Sequence, residues 1–215
     1  YPEKVACTVF FNGCNFRCGF CHNPFLILNY KANVSKETFF NFLDSRKKVL
    51  DGVVLSGGEP CSSSDIIEFV DEVKKRGLLV KLDTNGSFPE ILDKVIDKVD
   101  YVAMDIKSSL ENYKDVVNID IDLEKIKRSV EMIMDRAKDY EFRTTVIKSL
   151  FSEKVLREIG EWLKGAKRYT LQQFDKRNEM ISDKFKGDKL FTEKEFYGFA
   201  EIAREYFSEV AIRNL

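Results

Sequence analysis

Three of the five cysteines are crowded into eight positions near the start of the chain. Cys14, Cys18 and Cys21 are separated by asparagine and glycine residues that favour a loop over a helix. Loop cysteines can surround one centre, and thiolates are the usual protein ligands of iron–sulfur clusters. Three thiolates would leave one iron of a four-iron cluster without a protein ligand and open to a substrate. The spacing therefore predicts a 4Fe–4S site.

A structural zinc site is the alternative for the same residues, because zinc usually takes four cysteine or histidine ligands. His22 directly follows Cys21, so both would reach one tetrahedral ion only with strain. Cys7 or Cys61 could complete such a site only if the fold delivers them, and otherwise we expect both to be small buried residues. The chain has no second Cys-x-x-Cys pair. A non-catalytic zinc-binding α/β module is therefore the less favoured hypothesis.

Three further motifs place turn-forming or charged residues at the ends of apolar runs. They are Gly-Gly-Glu-Pro at 57–60, Asp-Thr-Asn-Gly at 83–86 and Asp-Ile-Lys at 105–107. Paired glycines let a backbone turn sharply and approach a ligand closely, although a plain turn accounts equally well for the first two motifs taken alone. Ligands of parallel sheets collect at the carboxyl ends of the strands. We therefore expect these motifs to border one cavity, with the lysine as a cation for a carboxylate.

Apolar, β-rich runs alternate with amphipathic helical patterns along the chain, which is typical of parallel strands covered by helices. We predict one α/β domain over residues 1–215, folded as a partial (β/α)6 TIM-like barrel of parallel strands with outer helices. Six units are too few for the eight of a closed barrel. The predicted strands are Val5–Phe11, Gly52–Ser56, Leu79–Asp83, Tyr101–Ile106, Phe142–Ile147 and Tyr169–Phe174, with Glu209–Arg213 as a possible seventh.

The composition is that of an ordinary globular protein, with 44% hydrophobic and 33% charged residues in a chain of 215. A net charge of −1 gives no general attraction to nucleic acid or to anionic membranes. No apolar run is long enough to span a bilayer, and the odd number of cysteines fits a reducing compartment. We therefore expect a cytoplasmic protein with no nucleic-acid or membrane partner. Because the chain begins with Tyr1, we also expect native residues to precede it.

The stretch from Phe11 to Pro24, Phe-Asn-Gly-Cys-Asn-Phe-Arg-Cys-Gly-Phe-Cys-His-Asn-Pro, resembles the radical S-adenosylmethionine superfamily. Within that superfamily it resembles the activating enzymes of glycyl-radical enzymes. The likeness is greatest to the branch named for the anaerobic ribonucleoside-triphosphate reductase activating protein. It extends over nearly the whole chain, through the three strand-end motifs and the Leu-Gln-Gln-Phe segment at 171–174. The cysteine spacing is its most specific part.

The resemblance implies two cofactors, a 4Fe–4S cluster held by the three loop cysteines and S-adenosylmethionine bound at the open iron. The residues implied to contact S-adenosylmethionine are Phe20, His22, Gly58, Asp105 and Lys107. An accessory cation is implied near Asp83, Thr84 and Asp105. One of Gln172 and Gln173 should also point inward, because strand side chains alternate between faces.

The implied reaction is reductive cleavage of S-adenosylmethionine to a 5′-deoxyadenosyl radical, which abstracts hydrogen from a glycine of a partner enzyme such as anaerobic ribonucleotide reductase. Flavodoxin or ferredoxin is the expected reductant. A small partial barrel leaves an open side for a peptide loop. The alternative within the superfamily is an enzyme that acts on a small molecule or RNA. The near-neutral charge argues against RNA, since nucleic-acid binders usually carry a basic surface.

Overall fold

Seven parallel strands form one sheet whose spatial order is the same as their order in the chain. The computed structural model describes residues 1–27, 34–176 and 179–215. Each strand pairs in parallel with the next one along the chain, and the connections carry the helices. The strands are β1 (Ala6–Phe11), β2 (Gly52–Gly57), β3 (Leu79–Thr84), β4 (Tyr101–Asp105), β5 (Tyr140–Val146), β6 (Arg168–Gln173) and β7 (Glu209–Arg213).

The helices lie between successive strands and bury their apolar faces against the sheet. They are α1 (Pro24–Ile27), α2 (Lys36–Arg46), α3 (Asp65–Lys75), α4 (Pro89–Val95), α5 (Tyr113–Val117), α6 (Leu123–Arg136), α7 (Glu153–Trp162) and α8 (Glu193–Ala203), with short 3-10 helices at Pro60–Ser62 and Asp183–Gly187. None of the helices in the described ranges is long and apolar enough to cross a membrane.

The predicted parallel α/β architecture and its strands are confirmed. Each strand lies within two residues of its predicted bounds, and the possible seventh strand is present. The sheet edges β1 and β7 do not pair with each other in the part of the chain described, so the barrel is partial, as predicted. The strands could be predicted because their runs are continuously apolar. Fully buried residues between helices and sheet include Val53, Leu55, Val80 and Leu82.

Helix ends follow the local signals in the sequence. The Ser152 hydroxyl accepts a hydrogen bond from the backbone N–H of Val155 and caps α7. Thr192 and Glu195 form the predicted capping box at the start of α8, each side chain accepting a hydrogen bond from the other's backbone N–H. These caps fix where the helices begin and so keep the connecting segments short.

Replacing Leu82 by alanine should lower the free energy of unfolding by about 2–5 kcal/mol, because truncation of this fully buried side chain in β3 leaves a cavity. The matched control is Val49→Ala, since Val49 is 65% exposed. Anaerobic urea unfolding followed by circular dichroism measures both variants. Equal stability losses in the two variants would contradict the packing of β3 described above.

Candidate active site

The three predicted ligand cysteines lie on an irregular loop between β1 and α1, which we call the cysteine loop (residues 12–23). Backbone hydrogen bonds order it. The N–H of Arg17 donates to the carbonyl of Val117 over 2.9 Å, and its guanidinium donates to the carbonyl of Cys14 over 2.6 Å. The N–H of Cys21 donates to the carbonyl of Cys18 over 3.0 Å. The predicted loop is therefore confirmed, and its shape is held by protein contacts.

The Gly57-Gly58 turn supports the cysteine loop from the end of β2. The N–H of Gly58 donates to the carbonyl of Phe11 over 2.9 Å, and that of Glu59 donates to the carbonyl of Gly13 over 2.8 Å. Gly57 has φ +119°, a conformation that favours glycine. A Cβ on Gly58 would overlap the carbonyl oxygen of Gly13. Contact with the neighbouring backbone thus requires both glycines, whether or not a ligand also requires them.

All three thiols line one pocket at the carboxyl edge of the sheet, together with Gly58. Burial raises the pKa of the Cys14 thiol and raises that of Cys18 to about 12. These raised pKa values favour the protonated thiol. A bound metal would favour the thiolate instead, because only the thiolate coordinates metal. Within the described ranges, no group of three or more His, Cys, Asp or Glu side chains is close enough to hold a single metal ion.

Alternating charges lie along the inner face of β3, β4 and β5 and just after β4, and we call these five residues the charged row: Lys81, Asp83, Arg143, Asp105 and Lys107. All of them except Lys81 line the pocket. Lys81 pairs with Asp83, and the Arg143 guanidinium bridges Asp83, at 3.4 Å, and Asp105. The Lys107 ammonium donates to the other oxygen of Asp105 over 2.8 Å. The register explains the row, because Asp105 lies beside Arg143 and both point to the inner face.

The four members of the charged row that line the pocket stay ionised despite their burial. Burial alone would raise the carboxyl pKa values, but Arg143 and its lysine neighbours outweigh it, so the pKa of Asp83 and that of Asp105 are both lowered. Burial likewise opposes the charge on Lys107, yet the adjacent Asp105 raises its pKa. Lys107 and Arg143 are the two cations of the row that line the pocket, so they could receive an anionic group of a ligand.

Glu59 is a buried carboxyl that links the glycine turn to the end of β3. Only 1% of it is exposed, and it accepts hydrogen bonds from the Thr84 hydroxyl (2.7 Å), the Asn85 N–H (2.6 Å) and the Cys61 N–H (2.9 Å). Burial raises its pKa to about 7, although these donors favour the ionised form. Its function here is to hold two strand ends together.

The predicted contacts to S-adenosylmethionine all lie at this pocket. Phe20 is buried and packs edge-on against Phe185, with ring centroids 5.9 Å apart. His22 packs on Phe174, and burial lowers its pKa, which favours the neutral imidazole. The buried Nε2 of His22 has no hydrogen-bond partner among the described residues, which fits a ring facing a ligand.

Two questions about individual residues were left open by the sequence. Gln172 lines the pocket, whereas Gln173 is buried on the other face and donates to the carbonyl of Phe191 over 2.8 Å. The Thr84 hydroxyl donates to Glu59, and Asp83 already faces cations, so the accessory cation stays a prediction.

Arg143 and Glu59 are the main site residues that the sequence analysis did not assign. Arg143 could have been found, because an arginine that alternates with Phe142 and Thr144 in a buried strand must point into the barrel. Glu59 gave a weaker signal, since its partners come from a strand end 25 residues later. Cys61 is buried beside Glu59, as expected, whereas Cys7 packs against the core but is only half-buried.

Comparison with known proteins identifies the family. A sequence profile of the Radical SAM superfamily matches residues 8–160, most of the chain. The chain belongs to the radical SAM superfamily. Its members are enzymes that use a 4Fe–4S cluster and S-adenosylmethionine, so the predicted class of enzyme and both cofactors are confirmed.

Relatives of this radical SAM enzyme extend the comparison. A Methanocaldococcus jannaschii protein, named as a candidate glycyl-radical enzyme activating enzyme, is 34% identical over 222 positions that cover 100% of this chain and 91% of that protein. The pyruvate formate-lyase-activating enzyme of Listeria monocytogenes is 34% identical over 48% of this chain and 47% of its own length. Streptococcus suis SuiB bound to S-adenosylmethionine shares the fold, with a TM-score of 0.75 at 12% identity over 98% of this chain and 50% of that one.

The residues of the pocket fit the cofactors of the superfamily. Three thiols supply the donor chemistry of an iron–sulfur cluster. Lys107 and Arg143, which line the same pocket, supply cations for a carboxylate, and the buried Nε2 of His22 supplies a polar contact. The residues predicted to contact the cluster and S-adenosylmethionine thus line one pocket.

Replacing Gly58 by alanine should reduce the iron bound per chain severalfold, because the new Cβ would displace the backbone that carries Cys14. Gly198→Ala is the matched control, since a Cβ there meets no atom within 4 Å. Iron and sulfide analysis after anaerobic reconstitution checks both variants. Full iron content in the Gly58→Ala protein would contradict the tight backbone contact.

The unfolding free energy of the cluster-free protein should fall as the pH rises from about 4.5 to about 7. Glu59 has its pKa raised from 4.5 to about 7 on folding, so the folded state binds more protons than the unfolded state in this window. The expected loss is about 3 kcal/mol at most. Urea titrations at several pH values should show a flatter slope for Glu59→Gln, and an unchanged slope for the exposed control Glu131→Gln. The same slope in all three proteins would refute the raised pKa.

Proposed function

We propose that this radical SAM enzyme activates a glycyl-radical enzyme by removing a hydrogen atom from a backbone glycine of that partner. The observation that carries the proposal is the convergence of Cys14, Cys18 and Cys21 with the cationic end of the charged row on one pocket. The full-length similarity to a relative named for this activity supports it. The partial similarity to a pyruvate formate-lyase-activating enzyme supports it further.

The residues of the pocket divide between the two cofactors. Cys14, Cys18 and Cys21 would hold the 4Fe–4S cluster, which would supply an iron without a protein ligand for S-adenosylmethionine. Lys107 and Arg143 neutralise the carboxylate from the sheet side, because each retains donors beyond those that contact Asp105. Ionised Asp105 in turn keeps both cations in place.

The remaining contacts orient the rest of S-adenosylmethionine. Gly58 offers its backbone where no side chain is present, close to the cluster side of the pocket. Phe20 and His22 offer an apolar ring face and a neutral imidazole for the adenine, which needs both stacking and a hydrogen bond.

When bound and reduced, these cofactors supply a 5′-deoxyadenosyl radical that can take hydrogen from a Cα. The protein itself orients the bound cofactors and excludes water from them. Buried Phe16, Phe20 and Ile27 line the pocket beside the cysteines and exclude water from the cluster side. The charged row would hold the carboxylate end of S-adenosylmethionine, and Phe20 and His22 would hold its adenine. The carbon–sulfur bond that is cleaved would then lie between two fixed ends of the molecule.

The open side of the barrel supports a polypeptide substrate. Phe10 pairs in register with Ser56, which lines the pocket, so Phe10 faces the same interior, and it is 56% exposed. An exposed aromatic residue beside sheet edges that pair with no other described strand suits an extended peptide loop. Anaerobic ribonucleotide reductase is the proposed partner, flavodoxin or ferredoxin the proposed reductant, and the cytoplasm the proposed location.

Replacing Cys18 by alanine should abolish the release of 5′-deoxyadenosine from S-adenosylmethionine by reconstituted, dithionite-reduced enzyme, because two thiolates do not hold the cluster. Cys7→Ala is the control, since Cys7 packs against the core away from the pocket and should keep cleavage within about twofold of wild type. Chromatography of the quenched reaction quantifies the product. Cleavage by the Cys18→Ala protein at the wild-type rate would exclude the ligand assignment.

The partner is tested by electron paramagnetic resonance on mixtures with purified anaerobic ribonucleotide reductase. The expected result is a glycyl radical signal on the partner in amounts matching the 5′-deoxyadenosine formed. Cofactor cleavage with a modified small molecule and no protein radical would replace activation by another radical SAM reaction.

A further inference from the structure

Asn85 lies in the turn after β3, and its side-chain amide approaches Cys14, one of the proposed cluster ligands. Its Nδ2 is 3.8 Å from the Cys14 Sγ, within hydrogen-bond reach of a sulfur acceptor. The residue is 5% exposed, so water does not compete for this amide. The contact joins the end of β3 to a proposed cluster ligand 71 residues earlier in the chain.

The orientation of the Asn85 amide is fixed by its neighbours. Its Oδ1 accepts from the Ser87 N–H over 2.9 Å and from the Ser87 hydroxyl over 2.6 Å. A backbone N–H can only donate, so the oxygen of the amide must face Ser87 and the nitrogen must face Cys14. Of the two hydrogens on Nδ2, one goes to the Asn15 Oδ1 at 3.1 Å and the other is left for the sulfur.

The backbone of Asn85 is held equally firmly. Its N–H donates to the buried carboxyl of Glu59 over 2.6 Å, and the Thr84 hydroxyl donates to the same carboxyl. The Ser87 hydroxyl accepts from the Asn15 side chain over 3.0 Å, which ties the turn back to the cysteine loop. The donor is therefore preorganised at the sulfur before any cluster binds.

We propose that Asn85 is a positioning residue that donates an N–H···S hydrogen bond to the Cys14 thiolate and raises the reduction potential of the cluster. The proposal rests on the ligand assignment made under the proposed function. Reduction adds negative charge that spreads onto the ligand sulfurs. A buried donor stabilises this charge more in the reduced than in the oxidised cluster, so the electron is accepted more readily.

Two substitutions separate the hydrogen bond from charge and packing. Asn85→Asp keeps an oxygen for Ser87 and nearly the same shape, but it replaces the donor by a negative charge. Asn85→Leu removes the donor without adding charge. Ser45→Ala is the matched control, because it also removes one hydroxyl, but from an exposed position on α2 outside the pocket lining.

The measurement is a redox titration of each reconstituted protein without S-adenosylmethionine, followed by electron paramagnetic resonance of the reduced cluster. At a fixed potential the ratio of reduced to oxidised cluster should fall about tenfold in Asn85→Leu, equal to a shift of about 59 mV for one electron. Asn85→Asp should shift further in the same direction. Ser45→Ala should stay near wild type, and iron analysis confirms cluster content in each protein.

The outcomes separate this inference from the proposals before it. Normal clusters with wild-type potentials in both Asn85 variants overturn the hydrogen bond and leave the ligand assignment standing. A shift in Asn85→Asp alone shows an effect of charge and also overturns it. If Asn85→Leu fails to fold, a wild-type potential in Asn85→Asp is decisive against the proposal. A wild-type protein that forms no 4Fe–4S cluster overturns both the assignment and the inference, whereas absence of a glycyl radical on a partner affects neither.

Discussion

The backbone of the cysteine loop lies directly on the Gly57-Gly58 turn, and this contact leaves no room for a side chain between them. It joins the ends of β1 and β2 through two backbone hydrogen bonds. Glu59 continues the connection to the end of β3 by accepting from Thr84 and Asn85. The positions of the thiols are therefore set by the sheet, through successive strand ends, rather than by whatever the thiols bind.

The charged row of the same pocket is also positioned by the sheet. Neighbouring parallel strands place Asp83, Asp105 and Arg143 side by side, and their mutual attraction outweighs the cost of burial. A buried network of this kind is rigid, because moving one member leaves another charge unpaired. Rigid charges cost no reorganisation when a ligand arrives, which is what a site for a charged cofactor needs.

Much of this arrangement could be predicted from the sequence, and the reasons are local. Apolar runs of five to seven residues identified every strand, and the motifs at 57–60, 83–86 and 105–107 lie at strand ends that parallel pairing must bring to one edge. The partners of Glu59 and Asn85 could not be predicted, because they depend on which strand ends touch and on side-chain rotation. Likewise, the alternation of β6 showed that one glutamine faces inward, but only the register with β5 identifies Gln172.

Because β1 and β7 do not pair in the part of the chain described, the pocket has two electrically different walls. On the side of β3 to β5, Arg143 and Lys107 are buried in ion pairs with Asp83 and Asp105, where solvent screens charges little. On the side of Phe10, which is 56% exposed, nearby solvent weakens electrostatic interactions. The donors of Arg143 and Lys107 that do not contact Asp105 therefore favour a negative group beside β4 and β5 rather than beside β1. The incomplete ring of described strands thus gives the pocket a polarity from one wall to the other.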